Sequence, residues 1–175
     1  MSDYYCKNAP LSPIHAYYHA NEYGFPEKDE SRLFERLSLE IMQAGLSWET
    51  VLKKRKSLNS AFCDFNAEKV ASFTEKDMER LLNDASIIRN RLKIQSIIHN
   101  ASVILEFRDS HNGFYNWLIY NNKESINDWV KLFKKTFKFT GKEIVSEFLM
   151  SIGIIEGAHE DWCPVKNLIK VKNSA

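Results

Sequence analysis

The apolar residues of this chain recur at helical spacing, and no segment of any length alternates between apolar and polar residues. Residues three and four apart share one face of an α-helix, whereas a half-buried strand alternates strictly. The clearest example is the stretch ending near Arg108, which has apolar residues at Ile94, Ile97, Ile98, Ala101 and Leu105. The pattern therefore predicts an all-α protein.

The order of the predicted helices defines the expected organisation of the chain. Helices are predicted at about Ser31–Ala44, Trp48–Leu58, Glu75–Asn83, Phe114–Tyr120, Ser125–Phe133 and Ile144–Ile152, with shorter ones near Ser60–Phe65 and Ala67–Ser72. A long helix is predicted to follow Ile87–Ile88 and to run to about Arg108. Residues 1–29 hold three of the four prolines, which indicates an irregular or short-helical arm. We expect one domain over residues 1–175, with a helical hairpin at 84–95 and a C-terminal tail at 156–175.

The stretch Leu39–Trp48 combines a helix end, a glycine turn and the start of the next helix. Glu40 falls on the apolar face of the first helix, where a carboxylate is costly unless something pairs with it. Gly45 suits the left-handed turn that follows a helix end. Ser47 is a good N-cap residue and places Trp48 on the first turn of the next helix. These features predict one wall of a pocket, with Glu40 as its leading functional residue.

The composition excludes several classes of protein. The chain is 44% apolar and 27% charged with a net charge of +1, which is typical of a globular protein. No apolar run approaches the ~20 residues of a membrane span, and the first residues lack a signal-peptide pattern. Three cysteines in such a chain argue against a disulfide framework. We therefore expect a cytoplasmic protein without membrane contacts.

Basic residues form three clusters, at 53–56, at 89–93 and at Lys131, Lys134, Lys135 and Lys138. Such clusters could make a phosphate-binding surface, although solvated helix faces have the same composition. In the hairpin, unpaired amides at the start of the second helix could bind one phosphate, with Arg89 and Lys93 adding charge. A plain helical hairpin is the alternative, because the glycines usual in phosphate-binding turns are missing.

Two cysteines and two histidines have a spacing that suits a metal site. Cys6 and His19 are thirteen residues apart, and His159 and Cys163 are four apart. Two such pairs can form a closed tetrahedral zinc site that ties the N-terminal arm to the C-terminal tail. Four protein ligands leave no open position for water, so the zinc would be structural. Unrelated surface histidines and incidental cysteines are the alternative.

Aromatic residues are plentiful around the predicted pocket, namely Tyr17, Tyr18, Tyr23 and Trp48. Aromatic faces beside a carboxylate such as that of Glu40 suit a flat, cationic ring, through stacking, cation–π attraction and hydrogen bonds. The alternative is an ordinary aromatic core, which rarely accommodates an unpaired carboxylate.

Seven segments together resemble the bacterial 3-methyladenine DNA glycosylase I family: Tyr18–His19, Asn21–Gly24, Gln43–Trp48, Thr50–Arg55, Asp84–Arg89, Lys93–Gln95 and Phe137–Gly141. The resemblance covers residues 4–163 and includes the Cys/His spacing, which is similar to that family's zinc clasp. It implies an all-α helix–hairpin–helix fold. It also implies a monofunctional enzyme that flips N3-alkylated purines out of double-stranded DNA and hydrolyses their glycosidic bond, without a lyase step.

The resemblance also implies the roles of individual residues. Glu40 would bind the purine edge between the rings of Tyr18, Tyr23 and Trp48. Gly45 and Leu46 would fill the gap in the duplex. Backbone phosphates would be held by Ser86, Ile87, Arg89 and Lys93, and one structural zinc by Cys6, His19, His159 and Cys163. Alkylated DNA would be the partner, and we expect a monomer without an obligate protein partner.

The chain departs from the family pattern at six positions: Asn8, His15, Ser86, Leu92, Glu143 and Glu147. Fewer aromatic residues and more acid around the pocket would change the preferred base. Two other hypotheses stay open on sequence alone. One is a non-catalytic, DNA-binding descendant of the family. The other is a helical interaction protein that keeps the clasp only for stability.

Overall fold

A computed structural model describes residues 2–173 of the chain, and the side chains of residues 4–170. All regular structure within that range is helical, which confirms the predicted fold class. The α-helices are α1 (Ser2–Asn8), α2 (Pro13–Asn21), α3 (Glu30–Gln43), α4 (Trp48–Ala61), α5 (Ala67–Ala71), α6 (Glu75–Asn83), α7 (Arg91–His111), α8 (Phe114–Tyr120), α9 (Ile126–Thr136), α10 (Lys142–Ser151) and α11 (Pro164–Asn173). Short 3-10 turns cover Ala9–Leu11 and Cys63–Phe65.

Side-chain caps explain why several helices begin where the sequence predicts. The Ser47 side chain accepts a hydrogen bond from the amide of Thr50, so α4 begins at Trp48. Ser125 caps α9 in the same way. Thr74 and Asp77 form a reciprocal capping box at the start of α6.

The structure gives finer boundaries to three predicted segments. Helix α7 follows Ile87 and Ile88 and begins at Arg91, because Asn90 accepts a hydrogen bond from the Lys93 amide and caps the helix there. Helix α2 has nine residues within the arm that is predicted to be irregular or short-helical. Much of the predicted C-terminal tail forms α11, which begins at Pro164, a residue well suited to a first helical position.

The chain forms two compact units. One contains the residues up to Glu27 together with those from Ser146 onward, and the other is Lys28–Val145. The first unit has a small buried cluster with Ile169 packed against it, consisting of Cys6, Phe25, Cys163 and Val165. Its two segments are far apart in sequence.

Helix α3 is the most buried element of the Lys28–Val145 unit, with every residue from Leu33 to Met42 buried. Helices α4, α7 and α8 contact it within that unit. This run includes charged side chains as well as apolar ones, and Glu40 is one of them. Charged groups on a helix buried all round must be held by partners, because desolvation alone would favour their neutral forms. Among the described residues, no helix has the length and apolar composition to cross a membrane.

One such partnership joins α3 to α4. Arg55 donates from Nε to Oε1 of Glu35 and from Nη2 to Oε2, both at 2.8 Å, in a bidentate ion pair. Burial alone would raise the pKa of Glu35. Hydrogen bonds from Arg55 and Asn59 and the charge of Arg36 outweigh burial, so that the pKa lies below its ordinary value. The ionised pair therefore stabilises the fold above the pKa of Glu35 in the unfolded chain and stops doing so as pH falls through the folded pKa.

Replacing Arg55 with Met is expected to lower the free energy of unfolding at pH 7 by about 2 kcal/mol, because Glu35 is left as a buried charge. In the variant, Glu35 lacks Arg55, the main group that lowers its pKa. Acid should therefore neutralise the carboxyl and shrink the difference in unfolding free energy from wild type. Urea unfolding between pH 4 and pH 7 measures this. The double variant with Glu35→Gln should recover much of the loss, and a pH-independent difference would contradict the prediction.

Candidate functional site

The turn between α3 and α4 has the geometry that the sequence predicts. Gly45 adopts φ +78°, in the left-handed region, and a Cβ added there would meet nothing within 4 Å. Glycine is therefore needed for backbone conformation rather than for space. Leu46 follows with 41% of its surface exposed. The turn presents an apolar tip to solvent.

Glu40 lies three residues before the end of the helix that leads into this turn, and it is 5% exposed. The predicted burial of this side chain is therefore confirmed. Trp48 is half-buried on the first turn of α4. A buried carboxylate and a partly accessible indole thus flank one exposed turn, and all three belong to the Lys28–Val145 unit.

The loop between α6 and α7, residues 84–90, is the predicted phosphate-binding hairpin. Ser86 and Arg89 are exposed on it, whereas Ile87 is buried. Asp84 accepts hydrogen bonds from the amide and the hydroxyl of Ser86 at 2.8 and 2.6 Å, and these bonds lower the pKa of Asp84. The amides of Ser86 and Ile87 both donate within the loop. They are therefore not free for a phosphate in this arrangement.

Several residues of the basic clusters are engaged in intramolecular contacts. On α4, Lys53 pairs with Glu49, Lys54 donates to carbonyls of the 84–90 loop, and Arg55 pairs with Glu35. Lys93 is buried on α7, and its ammonium donates to the carbonyls of Met42 and Ala44 at 2.8 and 2.6 Å. The predicted role of Lys93 as a phosphate contact does not fit this position, because its charge points at a helix end. Lysines on α9 remain exposed, namely Lys131, Lys134 and Lys135.

Cys6, His19, His159 and Cys163 come together in the other unit, and all four are buried. Their candidate ligand atoms all lie within 4.8 Å of one another. His159 Nδ1 is 3.7 Å from Cys6 Sγ and 3.6 Å from Cys163 Sγ, and His19 Nε2 is 3.7 Å from Cys163 Sγ. The predicted meeting of the four residues is confirmed, and each chain segment of this unit contributes two of them.

The chemistry of this cluster suits a metal of the zinc type. Zinc lies about 2.3 Å from sulfur and 2.0–2.1 Å from nitrogen, so tetrahedral sulfur and nitrogen ligands stand about 3.6 Å apart. The distances between His159 and the two cysteines match that spacing. His159 Nε2 donates to the carbonyl of Tyr23 at 2.7 Å, which leaves the lone pair of Nδ1 facing the sulfur atoms.

Burial shifts the titration of this cluster. It raises the pKa of the Cys6 thiol to about 11, with Cys163 adding to the shift. It lowers the pKa of His19 to about 4, helped by the nearby His159, whose own pKa is also lowered. Both histidines are therefore neutral at pH 7, which is the form that binds metals. The raised pKa keeps the Cys6 thiol protonated at pH 7 in the absence of a cation.

Aromatic rings surround Tyr23 in the same unit. Its ring lies 5.7 Å from those of both Tyr5 and Tyr18, and its hydroxyl donates to Glu147 Oε2 at 2.9 Å. The next residue, Gly24, has φ +82°, and a Cβ there would stand 2.8 Å from the side chain of Ala158. Glycine is thus required where the chain passes beside the His159 segment.

Comparison with known proteins decides the family. Residues 6–132 match the model of the methyladenine glycosylase family. The chain belongs to this family. DNA-3-methyladenine glycosylase 1 of Escherichia coli (strain K12) is 38% identical over 169 residues, which cover 86% of this chain and 90% of that protein. The DNA-3-methyladenine glycosylase of Haemophilus influenzae is 34% identical over 172 residues, covering 87% and 92%.

Solved structures agree with this assignment to the methyladenine glycosylase family. A single-residue variant of 3-methyladenine DNA glycosylase I, crystallised in complex with 3-methyladenine, superposes with a TM-score of 0.81. It is 30% identical in sequence, and the match covers 89% of this chain and 93% of that one. The backbone similarity extends over nearly all of both chains.

In this member of the methyladenine glycosylase family, the predicted site residues fall into both units. Glu40, Gly45, Leu46 and Trp48 belong to Lys28–Val145, as do the residues of the 84–90 loop, whereas Tyr18 and Tyr23 belong to the unit that holds the Cys/His cluster. Tyr18 is buried, and Tyr23 is 8% exposed.

Sequence reasoning missed Tyr5, whose ring lies beside His19 and Tyr23 and whose hydroxyl is 3.3 Å from His15 Nδ1. Its position next to Cys6 was the available signal. The pairing of Tyr23 with Glu147, 124 residues away, had no signal within a single sequence.

Proposed function

We propose that this chain is a DNA glycosylase that releases 3-methyladenine from alkylated double-stranded DNA by hydrolysis. Its membership of the methyladenine glycosylase family supplies the class of reaction. The observation that carries the proposal is the buried carboxylate of Glu40, which precedes an exposed apolar turn. A carboxylate in that setting suits a cationic base that has left the duplex, because a low-dielectric site strengthens attraction between opposite charges.

The chemistry requires modest assistance from the protein. Methylation at N3 gives the purine a positive charge while it is still attached to the sugar. When the bond from C1′ to N9 breaks, its electron pair moves to the ring, and 3-methyladenine leaves as a neutral molecule. Water adds to C1′ and loses one proton to solvent, leaving an abasic site in an intact strand. The enzyme must mainly bind the flipped base and admit water.

Glu40 accepts hydrogen bonds from the donors on the purine edge and balances the charge of the bound cation. Trp48 supplies a stacking face, as do Tyr18 and Tyr23. The bond from the Tyr23 hydroxyl to Glu147 fixes the orientation of that ring. Cation–π attraction favours the alkylated, charged base over unmodified adenine.

The DNA contacts follow from the exposed parts of the Lys28–Val145 unit. Gly45 and Leu46 enter the gap left by the flipped nucleotide, since this turn is apolar and has open space around it. The 84–90 loop contacts the phosphate backbone as a helix–hairpin–helix element. Arg89 provides an exposed charge there. The chain acts without a lyase step.

One structural zinc bound by Cys6, His19, His159 and Cys163 completes the proposal. The buried thiols, the neutral imidazoles and the spacing near 3.6 Å support a tetrahedral site of this kind. Four protein ligands would leave the ion without an open position. Its contribution is therefore to stability, and none of the steps at the base passes through it.

The purified protein is expected to release free 3-methyladenine from methylated duplex DNA without cutting the strand until the abasic site is treated with alkali. Chromatography of the released bases measures this, with unmethylated DNA as the control. A steep fall in DNA affinity with salt should accompany the activity, because phosphate contacts release counterions. Salt-dependent binding without release of any alkylated base would favour the non-catalytic descendant. The absence of both would favour the interaction protein.

A further inference from the structure

Two lysines make reciprocal contacts between the α3–α4 turn and the α6–α7 loop. Lys93, three residues past the 84–90 loop, donates to the carbonyls of Met42 and Ala44 at the end of α3. Lys54, on the helix that follows the turn, donates to the carbonyls of Ala85 and Ser86 in the loop at 3.1 and 3.0 Å. Each segment thus receives a lysine from the helix that follows the other segment.

Carbonyl groups at the end of α3 explain the position of Lys93. The last carbonyls of a helix have no intrahelical partner. The amide of Ala44 bonds to Ile41 O, and that of Leu46 bonds to Gln43 O. Lys93 donates to the carbonyls of Met42 and Ala44, the residues on either side of Gln43. A buried cation at a helix C-terminus is also favoured by the helix dipole.

Backbone amide and carbonyl groups of the 84–90 loop also have hydrogen-bond partners. Asp84 binds the amide and hydroxyl of Ser86, which fixes the start of the loop from within. Lys54 binds the carbonyls of Ala85 and Ser86, the first of which belongs to the same peptide group as the Ser86 amide. Burial lowers the pKa of Lys93, which reflects the cost of placing this ammonium away from water. Maintaining such a cost points to a role that a neutral side chain does not fill.

We propose that Lys54 and Lys93 are positioning residues that couple the turn carrying Gly45 and Leu46 to the 84–90 loop. The proposal rests on the proposed function, in which the turn enters the duplex and the loop holds its backbone. Coupling the two segments fixes the distance between the flipped nucleotide and the phosphates that flank it. In this proposal both ammonium groups act through the carbonyls they bind rather than as phosphate contacts.

Hydrogen exchange of the Lys54→Met and Lys93→Met variants tests the coupling directly. Methionine keeps the length of the side chain and removes the charge. Lys56→Met is the matched control, because Lys56 is exposed on the same helix as Lys54. Each test variant should raise exchange about tenfold in both segments, 44–46 and 84–90, while the control leaves both unchanged. Lys54 is only half-buried, so its variant keeps the experiment decisive if Lys93→Met folds poorly.

Kinetics separate positioning from direct DNA contact. Single-turnover release of 3-methyladenine should fall about tenfold in both variants, whereas binding of the free base and the salt slope of DNA affinity stay at the wild-type values. A DNA substrate whose lesion lies opposite a gap should recover most of the rate, because release from that substrate depends less on the turn.

Two outcomes would overturn the inference. The first is exchange that rises only in the segment each lysine contacts, which would mean that the segments are independent. The second is a slope of log DNA affinity against log salt concentration that is reduced by about one, which would identify a phosphate contact. If the wild-type protein releases no base, the proposed function fails, and the exchange measurement still decides whether the segments are coupled.

Discussion

Replacing Glu40 with Gln is expected to lower kcat/KM for 3-methyladenine release by about 10- to 60-fold. The amide keeps the shape of the side chain but loses the negative charge that balances the cationic base. Hydrogen bonds to a charged group contribute about 1.5–3 kcal/mol, compared with about 0.5–1.5 kcal/mol for neutral ones. Burial of Glu40, which is 5% exposed, places it toward the upper end of that range. Each 1.4 kcal/mol or so of lost stabilisation slows the reaction tenfold.

The matched control is Glu106→Gln, because Glu106 is an exposed residue of α7 outside the proposed site. Single-turnover release from methylated duplex DNA gives the rate, and titration with free 3-methyladenine gives the affinity for the base. The rate and the affinity should both fall in Glu40→Gln, and neither should fall in the control. The melting temperature measured in parallel separates recognition of the base from a structural role. Release at the wild-type rate would remove Glu40 from the mechanism.

Helix boundaries set by neighbouring residues were predictable from sequence. The caps at Ser47, Thr74 and Ser125 lie within three residues of the amides or carboxylates they bind, so the local pattern contains both partners. Ile87 and Ile88 precede α7 and lie in a loop, although they resemble the apolar pattern of that helix. Ile87 is buried there, and no local rule expresses that burial.

Residues of the candidate site also differ in how well the sequence could locate them. Glu40 could be located because one helix face contains both the carboxylate and its apolar neighbours. The Cys/His cluster could be located because cysteines and histidines at this spacing are typical of zinc sites. The partners of Lys54 and Lys93 could not be predicted, because the sequence around a lysine does not show whether its ammonium binds a phosphate or a carbonyl. Its partner is set by which helix ends lie within reach, a property of tertiary structure.

Removal of the metal should have the largest effect on stability. Replacing Cys163 with Ala is expected to reduce bound zinc from about one ion per chain to below about a tenth, and to lower the melting temperature by about 10–20 °C. Structural zinc sites contribute several kcal/mol to folding, and 1 kcal/mol corresponds to about 2–4 °C in a chain of this size. The ion would tie Cys6 to His159, residues 153 positions apart. Both proposed cysteine ligands also belong to the small buried cluster of this unit, together with Phe25 and Val165.

Cys63 provides the control, because it is half-buried and lies outside the cluster. Cys63→Ala should keep its zinc and melt within a few degrees of wild type. Treatment with a chelator should bring the wild-type protein and Cys63→Ala down to the melting temperature of Cys163→Ala, without changing the latter. If the two cysteine variants instead lose equal stability and neither preparation contains zinc, the four residues act only as packed side chains. Their ligand-like spacing near 3.6 Å, with Nδ1 of His159 turned toward both sulfur atoms, would then have no role in holding a metal.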